Sequence, residues 1–279
     1  MPIIRVTAHE DPRLADFDVV PDPVRLRESG QFVVEGRFAI ETLLRERRFR
    51  VRALLLTEST HRALAADLAA PDRSGVDVYV ASAAHFRIGG YDFHRGYLAL
   101  ADRPAPTRLD ELLDAAPPDA PLLVLERVAD PDNVGSLFRN AAAFGAGALV
   151  LSPGCADPFY RKAIRTSAGA TLRLPFAAAS DWPAALGLLR TRGYVVAALT
   201  PLRGAAGEAT AELGDFVAGR PRERPVALVV GTEGAGLTAG ALAAADARVH
   251  IRIDPSVDSL NVATAAAIAL QQLYRGRSA

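Results

Sequence analysis

The residues Leu122, Leu123, Val124 and Leu125 form an apolar run with no polar alternation, and a strand of that kind must be buried on both faces. It ends in a breaker, Asp130-Pro131-Asp132, and a helix is expected over 133–144. Ala148–Leu151 is a second run of the same kind. Further helices are expected over 158–167 and 182–190, and further strands over 194–199 and 226–230. Strand, helix and strand repeated in this way predict a parallel sheet with helices on both faces. In such a sheet, ligands bind where loops gather at the carboxyl ends of the strands. The pattern closes with a strand over 248–253, in which Val249, Ile251 and Ile253 alternate with polar residues, then a polar turn and an Ala-rich helix from Val262.

Upstream, strands are expected over 32–34, 51–57, 76–80 and 97–100, with helices over 37–47 and 60–69. This is a smaller α/β layer unit. Residues 1–30 read as irregular and polar, with turn signals at Asp11-Pro12 and Pro21-Asp22-Pro23. Residues 101–120 are rich in Pro, Ala and Asp and make the best linker in the chain, with a short helix over 109–115 inside it. The expected organisation is an N-terminal domain over 1–105, a linker over 106–120 and a second domain over 121–279. A chain of 279 residues fits one large domain or two ordinary ones.

Half the residues are hydrophobic, enough for a sizeable core. No run of about 18 apolar residues occurs, so no membrane span is expected. Residues 1–10 carry charges and lack an apolar signal core. Cys155 is the sole cysteine, which excludes an internal disulfide and fits a reducing cytoplasm. His85 and His94 lack the spacing of a metal site, and no metal is expected. The formal net charge is zero, so charge does not advertise a nucleic-acid binder. The run Arg45, Arg47, Arg48, Arg50 and Arg52 admits two readings, a solvated surface or a contact for an RNA backbone.

Three stretches carry chemistry. In the first, Asn133 opens a helix and Arg139 follows almost two turns later. The second, Gly231-Thr232-Glu233-Gly234-Ala235-Gly236-Leu237, comes directly after a strand. Its glycine order is neither the dinucleotide fingerprint nor a phosphate-binding P-loop, which argues against an oxidoreductase on a Rossmann-type sheet. In the third, Ser259, Leu260, Asn261 and Val262 sit at the seam between turn and helix, where Ser and Asn suit a helix N-terminus. Each alone is as readily a cap or a tight connection as a site.

Together, in this order, they resemble the three signature motifs of the SpoU (TrmH-type) branch of the SPOUT RNA methyltransferases. Asn133 and Arg139 match the first motif. Gly231, Glu233, Gly234, Gly236 and Leu237 match the second, and Ser259, Leu260, Asn261 and Val262 the third. The resemblance covers 122–273 well and extends more loosely to 31–102, which is similar to the ribosomal-protein-like substrate-binding domain that precedes many of these catalytic domains. It implies an α/β fold: a C-terminal SPOUT domain with a parallel sheet and a deep trefoil knot, preceded by that smaller domain. It also implies a homodimer with the cofactor pocket near the subunit interface.

The implied activity transfers a methyl group from S-adenosyl-L-methionine to a ribose 2′-hydroxyl of RNA. Ribosomal RNA is the expected substrate; transfer RNA, or an RNA-binding homologue without catalysis, are the alternatives. The resemblance implies cofactor contacts from Thr200, Pro201, Leu202, Gly231, Thr232, Glu233, Gly234, Ile251, Ile253, Ser259, Leu260 and Asn261. Arg139 resembles the family's catalytic arginine, with Asn133, Glu233, Ser259 and Asn261 as its companions. A guanidinium stays protonated, so Arg139 suits phosphate binding and lowering the barrier to hydroxyl deprotonation better than free-base duty. Arg161, Arg165 and Ser167 resemble a segment that faces RNA. The sequence departs from the family at Arg252 and Ile253, where Pro and Met are usual, and at Pro255, where Gly is usual.

Overall fold

A computed structural model describes residues 3–7, 11–18, 20, 22–69, 75–81, 87–88, 91–92, 96–201, 210–220 and 223–274. His85, His94 and Leu202, named above, lie outside them. The chain divides into two compact units, Met1–Ala105 with Phe159–Arg173, and Pro106–Pro158 with Leu174–Ala279.

The first unit opens with β1 (Ile3–Val6), a 3-10 turn (Pro12–Phe17) and α1 (Pro23–Glu28). Then come β2 (Gln31–Glu35), α2 (Arg37–Arg45), β3 (Val51–Thr57), α3 (Glu58–Ala63), α4 (Ala65–Leu68) and β4 (Asp77–Ala81). The short pair β5 (Arg87–Ile88) and β6 (Tyr91–Asp92) precedes β7 (Tyr97–Asp102). The five-stranded sheet runs β1-β4-β3-β7-β2. Its β1/β4 and β4/β3 pairs are parallel, and β3/β7 and β7/β2 antiparallel.

Residues 1–30, expected to be irregular, are a correction. β1 adds to the edge of the sheet along β4, and Leu14, Phe17, Val20 and Leu26 are buried in one cluster with Val33, Leu55 and Leu100. Asp11 and Asp22 start the two turns that follow them, accepting from the N–H of Arg13 and of Val24 and Arg25. Elements of four to six residues are too short for a periodic signal; their order comes from what they pack against.

The chain continues through α5 (Leu109–Ala115), β8 (Leu122–Glu126), α6 (Pro131–Ala143) and β9 (Ala148–Leu151). It rejoins the first unit with α7 (Arg161–Thr166) and α8 (Ala170–Arg173). There Phe159 packs tilted against Phe32 and edge-on against Phe49, with ring centroids 4.9 and 5.8 Å apart. Gly169 sits so close to α2 that a Cβ would lie 3.2 Å from Thr42 Oγ1.

The second unit is completed by β10 (Phe176–Ala178), α9 (Ala184–Thr191), β11 (Val195–Leu199), β12 (Ala211–Glu212), α10 (Leu213–Gly219), β13 (Val226–Gly231), α11 (Ala239–Ala244), β14 (Ala247–His250) and α12 (Val262–Leu273). Its seven strands run β10-β9-β8-β13-β11-β14-β12, and every pair is parallel. β8 is buried throughout, as its unbroken apolar run requires. β14 ends at His250 rather than Ile253. No helix among the described residues is long and apolar enough to cross a membrane.

Candidate active site

A cleft of about 500 Å³ opens at the carboxyl ends of three adjacent strands, β13, β11 and β14. Of the residues matched to the family's cofactor loops, Thr200, Pro201, Gly231, Thr232, Glu233, Gly234, Ile251, Ile253, Ser259, Leu260 and Asn261 all line it. Leu199, Val230 and Val262 add apolar wall, and His250, Arg252, Asp254 and Asp258 add polar groups. Because β14 stops at His250, residues 251–253 leave the sheet and become wall. Thr200 is held by its N–H, which donates to Val249 O at 2.9 Å.

The glycine-rich stretch is a closed loop. Gly236 N–H donates to Thr232 O at 3.0 Å, and Gly234 and Gly236 take φ of +82° and +67°, a region open to glycine. Gly231 is required for a different reason. A Cβ there would lie 2.4 Å from the carbonyl carbon of Gly236 and 2.7 Å from Leu237 N, so the loop folds back onto a bare backbone.

Asn261 joins the three stretches. Its Oδ1 caps α12, accepting from Ala263 N–H at 2.9 Å and Thr264 N–H at 3.2 Å. That fixes which way the amide points and turns Nδ2 toward the other two stretches. Nδ2 donates to Asn133 Oδ1 at 2.9 Å and to Glu233 Oε1 at 2.7 Å. Asn133 is buried in the first turn of α6, which packs along α12; Asn140 Nδ2 donates to Ala263 O at 2.8 Å between the two helices.

Arg139 is not brought into this group. Six residues along a helix leave it about 120° around and about 9 Å further on from Asn133. Its side chain is exposed and is not part of the cleft wall. On the polar side of the cleft, Asp254 accepts from Ser256 Oγ at 2.5 Å and Ser256 N–H at 2.9 Å, which holds its carboxyl below the usual carboxylate range. Pro255 occupies the second position of the turn closed by Val257 N–H on Asp254 O, a place that its fixed φ suits.

In the first unit, Arg165 is exposed, and Arg161 lies 3.5 Å from Glu35. Ser167 is a correction. It is buried, and its hydroxyl donates to Ile164 O at 2.9 Å, so it holds the end of α7 and offers nothing to a ligand outside. The arginine run is largely engaged within the unit. Arg45 meets Asp67 at 3.4 Å, Arg50 and Arg52 both face Asp102, and Arg48 donates to Leu172 O at 2.7 Å while lying over the Phe49 ring. Burial lowers the Arg48 pKa. No cluster of His, Cys, Asp or Glu among the described residues is arranged to hold a metal.

One buried carboxylate beside the glycine-rich stretch had no signal in the sequence. Glu126 is fully buried at the end of β8, in register with Gly231, and three hydrogen bonds converge on its carboxylate.

The model of the SpoU rRNA Methylase family matches residues 120–271. The chain belongs to that family. It is 39% identical over 271 residues to an uncharacterized tRNA/rRNA methyltransferase of Mycobacterium tuberculosis, covering 95% of this chain and 90% of that one. A 23S rRNA (guanosine-2′-O-)-methyltransferase of Ralstonia nicotianae is 33% identical over 215 residues, covering 76% of this chain and 82% of its own length. Among solved structures, an AdoMet-bound rRNA methyltransferase from Sinorhizobium meliloti superposes with a TM-score of 0.77 at 25% identity, covering 98% of both chains. As a SpoU family member, this chain has its three motif stretches at the carboxyl edge of a wholly parallel sheet.

Proposed function

We propose that this chain methylates a ribose 2′-hydroxyl of ribosomal RNA, using S-adenosylmethionine. The observation that carries the reading is Asn261, whose amide binds Asn133 and Glu233 at once and so gathers the three motifs beside one cleft. Relatives named as 23S rRNA 2′-O-methyltransferases favour ribosomal over transfer RNA.

The cleft fits the cofactor. Val230, Ile251 and Leu260 supply an apolar slot for an adenine, and the bare backbone at Gly231 leaves N–H and C=O groups for orientation. Thr200, Pro201, Thr232, Gly234, Ile253 and Ser259 complete the wall. Bound there, S-adenosylmethionine supplies a methyl group already activated by its sulfonium. The protein's own tasks are then to hold the hydroxyl in line and to ease removal of its proton. Arg139, exposed on α6, binds the phosphate beside the reacting ribose and favours the alkoxide by its charge. Asn133 and Glu233 fix Asn261, and Ser259 positions cofactor or ribose. Arg161 and Arg165 contact the RNA backbone.

The same reading makes residues 1–105 the RNA-binding domain, 106–120 a linker and 121–279 the catalytic domain. It gives the catalytic domain a deep trefoil knot and the protein a homodimeric state in the cytoplasm, with the pocket near the subunit interface; family membership supports these points. Calorimetric titration with S-adenosylmethionine, with NADH as control, tests the cofactor. Saturable binding of the first alone is expected, and a folded protein that binds neither would refute the reading.

A further inference from the structure

We propose that Glu126 is a positioning residue that sets the glycine-rich loop, acting through a clamp made with Thr238 and Trp182. The proposal rests on the reading of the cleft as the cofactor site.

Glu126 is the last residue of β8 and is wholly buried, next in the sheet to Gly231, where the loop begins. The following residue, Arg127, has φ +54°, so the chain turns sharply away and leaves the Glu126 side chain as the end of the strand. Its carboxylate reaches the far end of the loop. Oε2 accepts from Thr238 N–H at 2.8 Å, and Oε1 accepts from Thr238 Oγ1 at 2.6 Å and from Trp182 Nε1 at 2.5 Å.

The loop is therefore held at both ends by one strand edge. It starts at Gly231 in the β8/β13 ladder and finishes at Thr238 on the side chain of the residue paired with Gly231. Thr238 also caps α11, accepting from Ala241 N–H at 3.2 Å. Leu237 and Trp182 pack into one apolar cluster beneath it. Between the two anchors lie Thr232, Glu233 and Gly234, which face the cleft. Glu233 receives the Asn261 amide only if the loop has the right height. A buried carboxylate with three donors is costly to place and disruptive to leave half satisfied, so it suits a task in which a fraction of an ångström matters. A Leu at the end of β8 would continue the apolar run but leave Thr238 N–H and Trp182 Nε1 without acceptors.

The test is hydrogen exchange of the amides of residues 232–236, with affinity for S-adenosylmethionine, in the full chain and in Glu126→Gln, Thr238→Val and Thr238→Ser. Loss of one clamp bond is expected to speed exchange in the loop about tenfold and to weaken cofactor binding about tenfold, with the β8 amides unchanged. Thr238→Ser keeps the hydroxyl and should behave as wild type. Trp182 is the sole tryptophan, so its emission should shift in Thr238→Val but not in Thr238→Ser. Folded Thr238→Val protein with wild-type loop exchange, emission and affinity would overturn the proposal; should Glu126→Gln fail to fold, the two Thr238 variants still decide. If wild type binds no cofactor while loop exchange still rises in Thr238→Val, the cofactor reading fails and the clamp stands.

Discussion

The two sheets of this protein use the same kinds of residue to different ends. The seven-stranded sheet is parallel throughout, with its strands feeding all their carboxyl ends to one edge. Loops from β11, β13 and β14 meet there, and the cleft follows. In the five-stranded sheet two pairs are antiparallel, so strand ends of opposite sense share each edge. Arg45, Arg48 and Arg52 of its basic run are tied into ion pairs and a backbone contact. Parallel pairing concentrates chemistry at an edge; mixed pairing leaves a scaffold whose outer face is free to carry charge.

If that contrast is right, changes at the parallel edge should strike the cofactor or the reaction, and a change in the arginine run of the mixed unit should cost stability and spare the cofactor. The largest effect is expected for Gly231→Ala, whose Cβ would meet Gly236 at 2.4 Å. Calorimetry should find binding of S-adenosylmethionine lost, with helical and sheet content by circular dichroism retained; tight binding would break the comparison at its strongest point. Arg139→Ala should lower methyl transfer by about 100-fold or more while leaving cofactor affinity and melting temperature unchanged, because the side chain is exposed and outside the cleft. Asn261→Ala removes a helix cap and the junction of three motifs. It should destabilise by about 1–2 kcal/mol in denaturant melts and weaken cofactor binding at least about tenfold. In the mixed unit, Arg48→Ala should cost about 1 kcal/mol through the lost bond to Leu172 O and leave cofactor affinity as it was. The smallest effect concerns Cys155, whose thiol pKa is pushed up by burial. It should be alkylated more slowly than a free thiol at pH 8, as thiol titration would show.

How far these features were legible depended on the range of the interactions that made them. β8 and β13 could be read directly, since a strand buried on both faces writes its burial as an apolar run. The first thirty residues could not: Leu14 and Phe17 are buried by a cluster including Tyr79, more than sixty residues away, and a six-residue turn has no period of its own. The expected end of the last strand overruns the observed one by three residues, because the alternation of Val249, Ile251 and Ile253 persists after the ladder ends and serves the cleft wall instead. α8, β10 and β12, of two to four residues, are too short to register, and α10 and α11 are not among the expected elements. The motif residues were legible by spacing, yet only the fold brings Asn133, Glu233 and Asn261 within hydrogen-bonding reach. Ser167 belongs to a segment that resembles an RNA-facing one, and only the fold shows that its own hydroxyl is buried against Ile164 O. Glu126 left no trace, as its partners stand 56 and 112 positions along the chain.

The most direct test of the central claim is transfer of labelled methyl from S-adenosylmethionine to ribosomal RNA by the purified protein, followed by alkaline hydrolysis of the RNA. Methyl on a ribose 2′-oxygen blocks cleavage at that linkage, so label retained in an alkali-resistant dinucleotide, and absent with Arg139→Ala, is the predicted result. Label on a base, or transfer undiminished in Arg139→Ala, would contradict it.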